Sequence, residues 1–216
     1  MKLSHLQNTK LVIFDFDGTI ADTSLGILDS HIFALSAMGR AVPSEEELRK
    51  VIGGNLLKVY INTFKFLEAD AREAVRVYRE RYSQVGIHMA TLYFGFKELL
   101  EDLKNKGYKI GIATLKAESF AKIMVQEMHI ARYFDEICGM DPNDGLDKAG
   151  LILKCCDLCG CEKENAVLIG DSNNDWIGSK QAEVSFIGVT YGFGFKPGNE
   201  YEFITIDKPM ELTEIL

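Results

Sequence analysis

The chain has 216 residues, of which 47% are hydrophobic and 26% are charged, and its formal net charge at pH 7 is −8. A chain of this length and composition can bury a full hydrophobic core in one domain, or in one domain with an insertion. The acidic balance disfavours a nucleic-acid partner, because neutralising a phosphate backbone requires clustered lysine and arginine.

The N-terminal ten residues carry no apolar signal-peptide core, and the first apolar run, residues 11–14, is interrupted at once by Asp15. No stretch has the length and hydropathy of a membrane span, so we expect a cytoplasmic protein without a membrane partner. Residues 11–16 are predicted to form a short buried strand that ends at the turn-forming pair Asp17-Gly18.

Helical patterns fill residues 20–89. Ser44 and Glu47 are spaced as a capping box, and residues 56–66 and 70–82 continue with helical spacing. No strand pattern interrupts this stretch. We therefore predict an all-helical domain of residues 20–89, inserted directly after the first strand.

Helices and strands alternate in the rest of the chain. Helices are predicted over 96–106, 118–128, 148–159 and from 174, and strands over 108–113, 134–138, 166–169 and 185–189, with a closing strand at 203–206 and helix at 210–216. This alternation is typical of α/β proteins with a doubly wound parallel sheet. Residues 1–19 and 90–216 would form that Rossmann-like core.

Polar side chains follow the predicted strands, at the sheet edge where ligands bind in open α/β folds. Because parallel strands end at the same edge, we expect these groups to meet there. They are Asp15 and Asp17 after the first strand, Thr114 after the second, Lys148 at the start of the helix after the third, and Asp171 and Asp175 after the fourth.

This set has the chemistry of a phosphate ester hydrolase. Asp15, Asp17 and Asp171 form an oxygen-only cluster of the kind that Mg²⁺ prefers, with Asp175 near the ion. Asp15 would be the nucleophile, and Asp17 would be the general acid and then the base. Lys148 would supply positive charge, Thr114 a hydroxyl donor, and Gly18 a tight turn that brings amides to the phosphoryl group.

Each residue also has a structural interpretation. Asp171 follows a buried strand and is predicted to act, in addition, as the N-cap of the next helix. Lys148 taken alone is typical of an exposed charge at a helix start, and Thr114 of an ordinary strand end. Only the combination favours catalysis.

At these residues the sequence resembles the haloacid dehalogenase superfamily of phosphohydrolases. The segment Asp15-Phe16-Asp17-Gly18-Thr19 stands where that family has DxDGT, and residues 170–175 where it has GDxxxD. Thr114 and Lys148 match its second and third motifs in order. The pattern is most similar to that of phosphoglycolate phosphatase-like members, and residues 20–89 resemble their helical cap.

The resemblance implies a Mg²⁺-dependent phosphatase that acts on a small phosphorylated metabolite through an aspartyl-phosphate. It also implies a set of substrate-binding residues: Gly18, Thr19, Thr114, Leu115 and Lys116 in the core, and Arg49 and Gly53 in the cap. Leu115 replaces the asparagine that often follows the motif threonine, which puts one polar substrate contact in doubt. No oligomeric state is predicted.

Alternatives within and beyond the family remain. Asp17 argues against a dehalogenase or a phosphonatase, which lack this second aspartate. A hexose-phosphate phosphomutase would keep both aspartates and the same cap. A non-catalytic protein that binds phosphorylated metabolites would keep the fold.

Two further features have no role in this scheme. Five cysteines, four of them within residues 155–161, are predicted to be reduced, and burial in a helix is favoured over a zinc site. The segment Tyr191-Gly192-Phe193-Gly194 lacks the context of a dinucleotide-binding loop. It is predicted to be a turn at the surface or at the edge of the active site.

Overall fold

A six-stranded parallel sheet organises the core of the protein. The structure, a computed structural model, describes residues 6–141 and 145–216. The strands are β1 (Leu11–Phe14), β4 (Lys109–Ala117), β5 (Glu136–Met140), β6 (Ala166–Gly170), β7 (Ser185–Val189) and β8 (Ile204–Ile206), in the order β5-β4-β1-β6-β7-β8. Strand β1 is buried at every position, as its run of large apolar side chains predicts. Its neighbours are β4 and β6, so the segments that follow these three strands lie side by side.

Four helices connect these strands: α5 (Phe96–Asn105), α6 (Glu118–Glu127), α7 (Lys148–Leu158) and α8 (Asn173–Ala182). Helices α7 and α8 pack against each other, and α7 also packs against β4 and β5. A buried apolar cluster lies under these helices; its members include Ile13, Cys138, Leu151, Cys155 and Phe186. This packing fixes the first turn of α7 and of α8 near the ends of the strands.

The chain divides into two compact units. One comprises the residues up to Ala21 together with Leu92–Leu216, and the other comprises Asp22–Thr91. The chain passes from one unit to the other through β2 (Ala21–Asp22) and β3 (Thr91–Leu92), which form a separate two-stranded sheet.

The second unit is helical. It contains α1 (Ser24–Ala37), α2 (Glu45–Arg49), α3 (Leu56–Lys58), a π-helical turn (Val59–Thr63), α4 (Glu68–Gln84) and a 3-10 turn (Gly86–Met89). Helices α1 and α4 pack against each other. His31 of α1 is buried among aromatic rings, and its Nδ1 lies 3.2 Å from the Tyr60 hydroxyl.

The predicted fold class, a parallel α/β sheet with a helical insertion, is confirmed. Three local predictions are wrong. Residues 56–66 do not form one α-helix, because the Phe64 amide donates to the Val59 carbonyl in the wider π-helical turn. This turn places the Phe64 ring against His31. The short strand β2 interrupts the stretch predicted to be all helical, and the closing helix is a 3-10 segment, Pro209–Glu214.

Other boundaries shift by a few residues. Strand β4 continues to Ala117, four residues beyond the prediction, and β5 lies two residues later than predicted. Among the described residues, no helix is both long enough and apolar enough to cross a lipid bilayer.

Candidate active site

The loop after β1 carries the proposed nucleophile. Asp15 follows the last residue of β1, is 6% exposed, and donates its backbone N–H to the carbonyl of Ile169 in β6 at 2.9 Å. Gly18 turns the loop with a φ of +81°, and a Cβ there would lie 2.3 Å from Oδ2 of Asp171. Glycine is therefore required at 18, both for this conformation and for the close approach of the two loops.

Lys148, the first residue of α7, lies between two carboxylates. Its Nζ is 2.6 Å from Oδ1 of Asp15 and 2.7 Å from Oδ1 of Asp175, and it donates to the carbonyl of Ala113 at 2.8 Å. Burial disfavours the charged ammonium, but the two carboxylates outweigh this effect and raise the pKa of Lys148 above its ordinary value. The group is thus a fixed positive charge beside the proposed nucleophile.

Helix α8 leaves space for the lysine stem at Gly178. A Cβ at this position would lie 2.5 Å from Cγ of Lys148 and 2.9 Å from its Cβ. No sequence pattern singles out Gly178, since a glycine inside a helix carries no signal of its contact partner. Its absent side chain allows α7 and α8 to approach closely enough for Lys148 to reach Asp175.

Asp175 uses both of its carboxylate oxygens within the protein. Oδ2 accepts hydrogen bonds from the amide of Ser172 at 3.0 Å and from its hydroxyl at 2.6 Å, and Oδ1 receives Lys148. Ser172 is the N-cap of α8, so the interpretation of Asp171 as the N-cap is wrong. The cap lies one residue later because β6 extends through Gly170 and Asp171 faces the loop at 193–194 instead.

Asp171 is held by backbone amides of the segment after β7. Its Oδ2 accepts hydrogen bonds from the N–H of Phe193 at 2.6 Å and of Gly194 at 3.3 Å, and its carbonyl accepts the N–H of Phe195. Within the described part of the chain, no hydrogen bond reaches Oδ1. Burial, Asp175 and Asp15 raise the pKa of Asp171 well above its ordinary value, and the two amides act in the opposite direction.

Asp17 pairs with a second buried lysine. Nζ of Lys116, at the end of β4, lies 2.9 Å from Oδ1 of Asp17, and both side chains are less than a tenth exposed. The amide of Lys116 donates to Oγ1 of Thr114 at 3.2 Å. Side chains alternate along a strand, so Leu115 points the other way and packs against the buried apolar cluster.

Thr19 is fully buried within the nucleophile loop. Its carbonyl accepts a hydrogen bond from the Tyr191 hydroxyl at 3.1 Å, and its Oγ1 has no hydrogen-bond partner among the described residues. These contacts connect the loop after β1 to the segment after β7.

The predicted cap residues lie in the helical unit. Arg49 is at the end of α2, is largely exposed and pairs with Glu45 at 2.8 Å, and Gly53 follows in a turn with a φ of +76°. Their role in substrate binding stays a prediction. All five cysteines have free thiols, four of them buried, and Cys155 and Cys159 lie along α7 and at its end.

The acidic residues are close enough to share one cation. Asp15, Asp171 and Asp175 each offer an oxygen, and these three atoms lie within 4.8 Å of one another. Burial raises the pKa of Asp15 to about 6; Lys148 lowers it, and Asp175 and Asp17 raise it. A divalent ion would relieve this repulsion, and an all-oxygen donor set fits Mg²⁺.

Comparisons with known proteins find similar hydrolases. Residues 12–189 match the family model described as haloacid dehalogenase-like hydrolase. A 5'-nucleotidase of Pseudomonas aeruginosa is 37% identical over 185 residues, which cover 85% of this chain and 83% of that protein. Phosphoglycolate phosphatase 1 of the same organism is 31% identical over 194 residues, covering 85% of this chain and 70% of that protein.

The fold also matches solved structures. The crystal structure of a predicted phosphatase from Clostridium acetobutylicum superposes with a TM-score of 0.88 at 30% sequence identity, covering 95% of this chain and 97% of that one. The range matched by the family model, residues 12–189, contains Asp15, Asp17, Lys148, Asp171 and Asp175.

Proposed function

The chain belongs to the haloacid dehalogenase-like hydrolase family, and on that premise we propose that it is a magnesium-dependent phosphatase of small phosphate monoesters with Asp15 as nucleophile. The observation that carries the proposal is that the two oxygens of the Asp15 carboxylate have different contacts. One oxygen is held by Lys148 at 2.6 Å, and the other accepts no hydrogen bond from the described residues. The second oxygen is therefore available to attack phosphorus.

The reaction would proceed in two displacements at phosphorus. A carboxylate oxygen of Asp15 forms a bond to phosphorus while the bond to the ester oxygen breaks, and Asp17 gives a proton to the leaving alcohol. Water then attacks the aspartyl-phosphate, Asp17 takes a proton from that water, and inorganic phosphate leaves with Asp15 restored. The same proton carrier thus serves both halves of the reaction.

Charge compensation explains why the site would need a cation. Four buried carboxylates, those of Asp15, Asp17, Asp171 and Asp175, face two buried ammonium groups, so the site has a formal charge of −2 before substrate arrives. Bound Mg²⁺, held by Asp15 and Asp171, would cancel that charge and polarise the phosphoryl group. Lys148 contributes a positive charge that does not move during the reaction.

The relatives support two candidate substrate classes. Phosphoglycolate phosphatase 1 supports a small phosphorylated metabolite of the phosphoglycolate type. The 5'-nucleotidase, at 37% identity, favours nucleoside monophosphates as a second candidate. Both substrates are phosphate monoesters of alcohols, so the same displacement chemistry serves either.

Phosphate release with Mg²⁺ tests the proposal. Wild-type protein is assayed with an aryl phosphate, and then with 2-phosphoglycolate, nucleoside 5'-monophosphates and hexose phosphates. We expect Asp15→Asn to lose at least about 10³-fold in kcat, because the nucleophile is absent. Asp70→Asn, an exposed change in α4, is the matched control. Full activity of Asp15→Asn, or of wild type in excess chelator, would refute the proposal, and isomerised hexose phosphate without free phosphate would indicate a phosphomutase.

A further inference from the structure

We propose that the segment Tyr191-Gly192-Phe193-Gly194, here the 191–194 loop, is a positioning element that leaves Asp171 a single oxygen for a divalent cation and thereby selects Mg²⁺ over Ca²⁺. The inference rests on the magnesium dependence in the proposed function. It assigns a role to a segment in which the sequence predicts only a turn.

The loop occupies one oxygen of Asp171 completely. Oδ2 accepts the N–H groups of Phe193 at 2.6 Å and of Gly194 at 3.3 Å, while Oδ1 accepts no hydrogen bond from the described residues. Two amides on one carboxylate oxygen fix the rotation of the side chain. Asp171 is only 3% exposed, so water cannot easily replace these donors.

The approach is possible only because the loop lacks side chains at two positions. A Cβ at Gly192 would lie 2.3 Å from the carbonyl oxygen of Gly18, 2.5 Å from Cβ of Asp171 and 2.6 Å from its Oδ2. A Cβ at Gly194 would lie 2.5 Å from the carbonyl oxygen of Asp171. Two of these close atoms are backbone, which cannot move aside as the end of a flexible side chain can.

The loop is anchored on both sides. The Tyr191 hydroxyl donates to the Thr19 carbonyl at 3.1 Å, and its ring contacts Tyr93 edge to face at 4.8 Å. On the other side Phe195 is buried against Phe203, and its N–H donates to the Asp171 carbonyl at 2.8 Å. The amides therefore keep their position without help from a bound ligand.

A carboxylate with one available oxygen discriminates between cations. Mg²⁺ takes six ligands in a tight octahedron and accepts single oxygens, whereas Ca²⁺ takes six to eight and often uses both oxygens of a carboxylate. With Oδ2 held by the loop, Asp171 can offer a cation only one oxygen. Loosening the loop should weaken Mg²⁺ binding and reduce the ratio of the Mg²⁺ affinity to the Ca²⁺ affinity.

Mn²⁺ binding provides a readout that does not depend on turnover. The full-length protein is titrated with Mn²⁺, free Mn²⁺ is measured by electron paramagnetic resonance, and Mg²⁺ and Ca²⁺ are then used as competitors. For Gly192→Ala we expect Mg²⁺ affinity to fall about tenfold or more, as when residues that orient a metal ligand are changed. Ca²⁺ affinity should fall less, so the Mg²⁺/Ca²⁺ ratio decreases.

Two variants keep the test decisive. Gly198→Ala strains a backbone with φ of +80° but meets no atom within 4 Å, so it should leave the ratio unchanged. Tyr191→Phe removes only the hydroxyl bond to Thr19, so it replaces Gly192→Ala if that variant does not fold, and should shift the ratio in the same direction by a smaller factor.

The outcomes separate the two proposals. If wild type binds Mn²⁺ and neither Gly192→Ala nor Tyr191→Phe changes the Mg²⁺/Ca²⁺ ratio by more than about twofold, the positioning role is refuted while the phosphatase proposal stands. If wild type binds no Mn²⁺, the magnesium dependence fails and the selective role of the loop fails with it.

Discussion

Replacing Lys148 with methionine removes the charge that the structure places between two aspartates. Methionine keeps the length and most of the apolar stem, which packs beside Gly178, but loses three contacts. These are the ion pairs with Asp15 at 2.6 Å and Asp175 at 2.7 Å and the hydrogen bond to the Ala113 carbonyl at 2.8 Å. The variant therefore tests the charge with little change in packing.

We expect Lys148→Met to lose most of its activity and to lose stability by an amount that depends on pH. Removing one preorganised group that stabilises developing charge costs about 10²–10³ in kcat. Leaving buried carboxylates unpaired costs about 3–5 kcal/mol of stability, less where protonation neutralises them. Burial raises the pKa of Asp15 to about 6 even though Lys148 acts in the opposite direction. Removing the lysine in Lys148→Met should therefore raise the pKa of Asp15 further.

The sign of the pH effect follows from the nucleophile. As the proposed nucleophile, Asp15 would attack only when deprotonated, so raising its pKa should move the acid side of the pH–rate profile to higher pH. The assay is phosphate release with Mg²⁺ between pH 5 and 8, beside urea unfolding at the same values. Lys154→Met, later in the same helix and with a side chain 35% exposed, is the control. A variant that keeps more than about a third of wild-type kcat, with an unmoved acid limb, would refute the electrostatic role of Lys148.

Two further predictions concern packing and burial. Burial lowers the pKa of His31 to about 3, below its ordinary 6.5, so the unfolded chain binds the extra proton between these values. The stabilising contribution is complete above pH 6.5 and is lost as pH falls, by about 2 kcal/mol between pH 7 and pH 5. Urea unfolding should show this loss in wild type and in the control His129→Asn, and a similar loss in His31→Leu would contradict it. Gly178→Ala should lower kcat about tenfold or more by displacing Lys148, with KM little changed; steady-state kinetics equal to those of wild type would mean that α7 and α8 adjust without moving Nζ.

The arrangement of the catalytic groups could be predicted because it depends on strand ends. An apolar run such as residues 11–14 identifies a buried strand, and parallel strands end at one edge, so Asp15, Thr114 and Asp171 were expected to be neighbours. The structure places Asp15 directly after β1 and Asp171 directly after β6, with one oxygen of each within 4.8 Å of the other. Thr114 lies inside β4 rather than after it, because that strand continues to Ala117. The surrounding order of helices follows from the same alternation.

The backbone contacts of the site could not be predicted in this way. Phe193 and Gly194 act on Asp171 through their N–H groups, which every residue except proline possesses, so no residue type marks them. Gly178 and Gly192 act through a missing Cβ, and the atom that a Cβ would meet belongs to a distant part of the chain. Such contacts become visible only once the loops and helices have packed.

The hydrogen bonds of the four aspartates distinguish roles that their residue type does not. Asp175 has both oxygens engaged, by Ser172 and by Lys148, so its contacts suit it to orient the lysine and begin α8. Asp15 and Asp171 each have one oxygen held by the protein and one without a hydrogen bond from the described residues. A carboxylate fixed at one oxygen presents the other in a defined direction, which both a nucleophile and a ligand of an octahedral ion require. The same hydrogen-bond pattern therefore suits Asp15 for attack and Asp171 for cation binding. The two residues differ in the donor at the held oxygen, which is a charged lysine for Asp15 and uncharged backbone amides for Asp171.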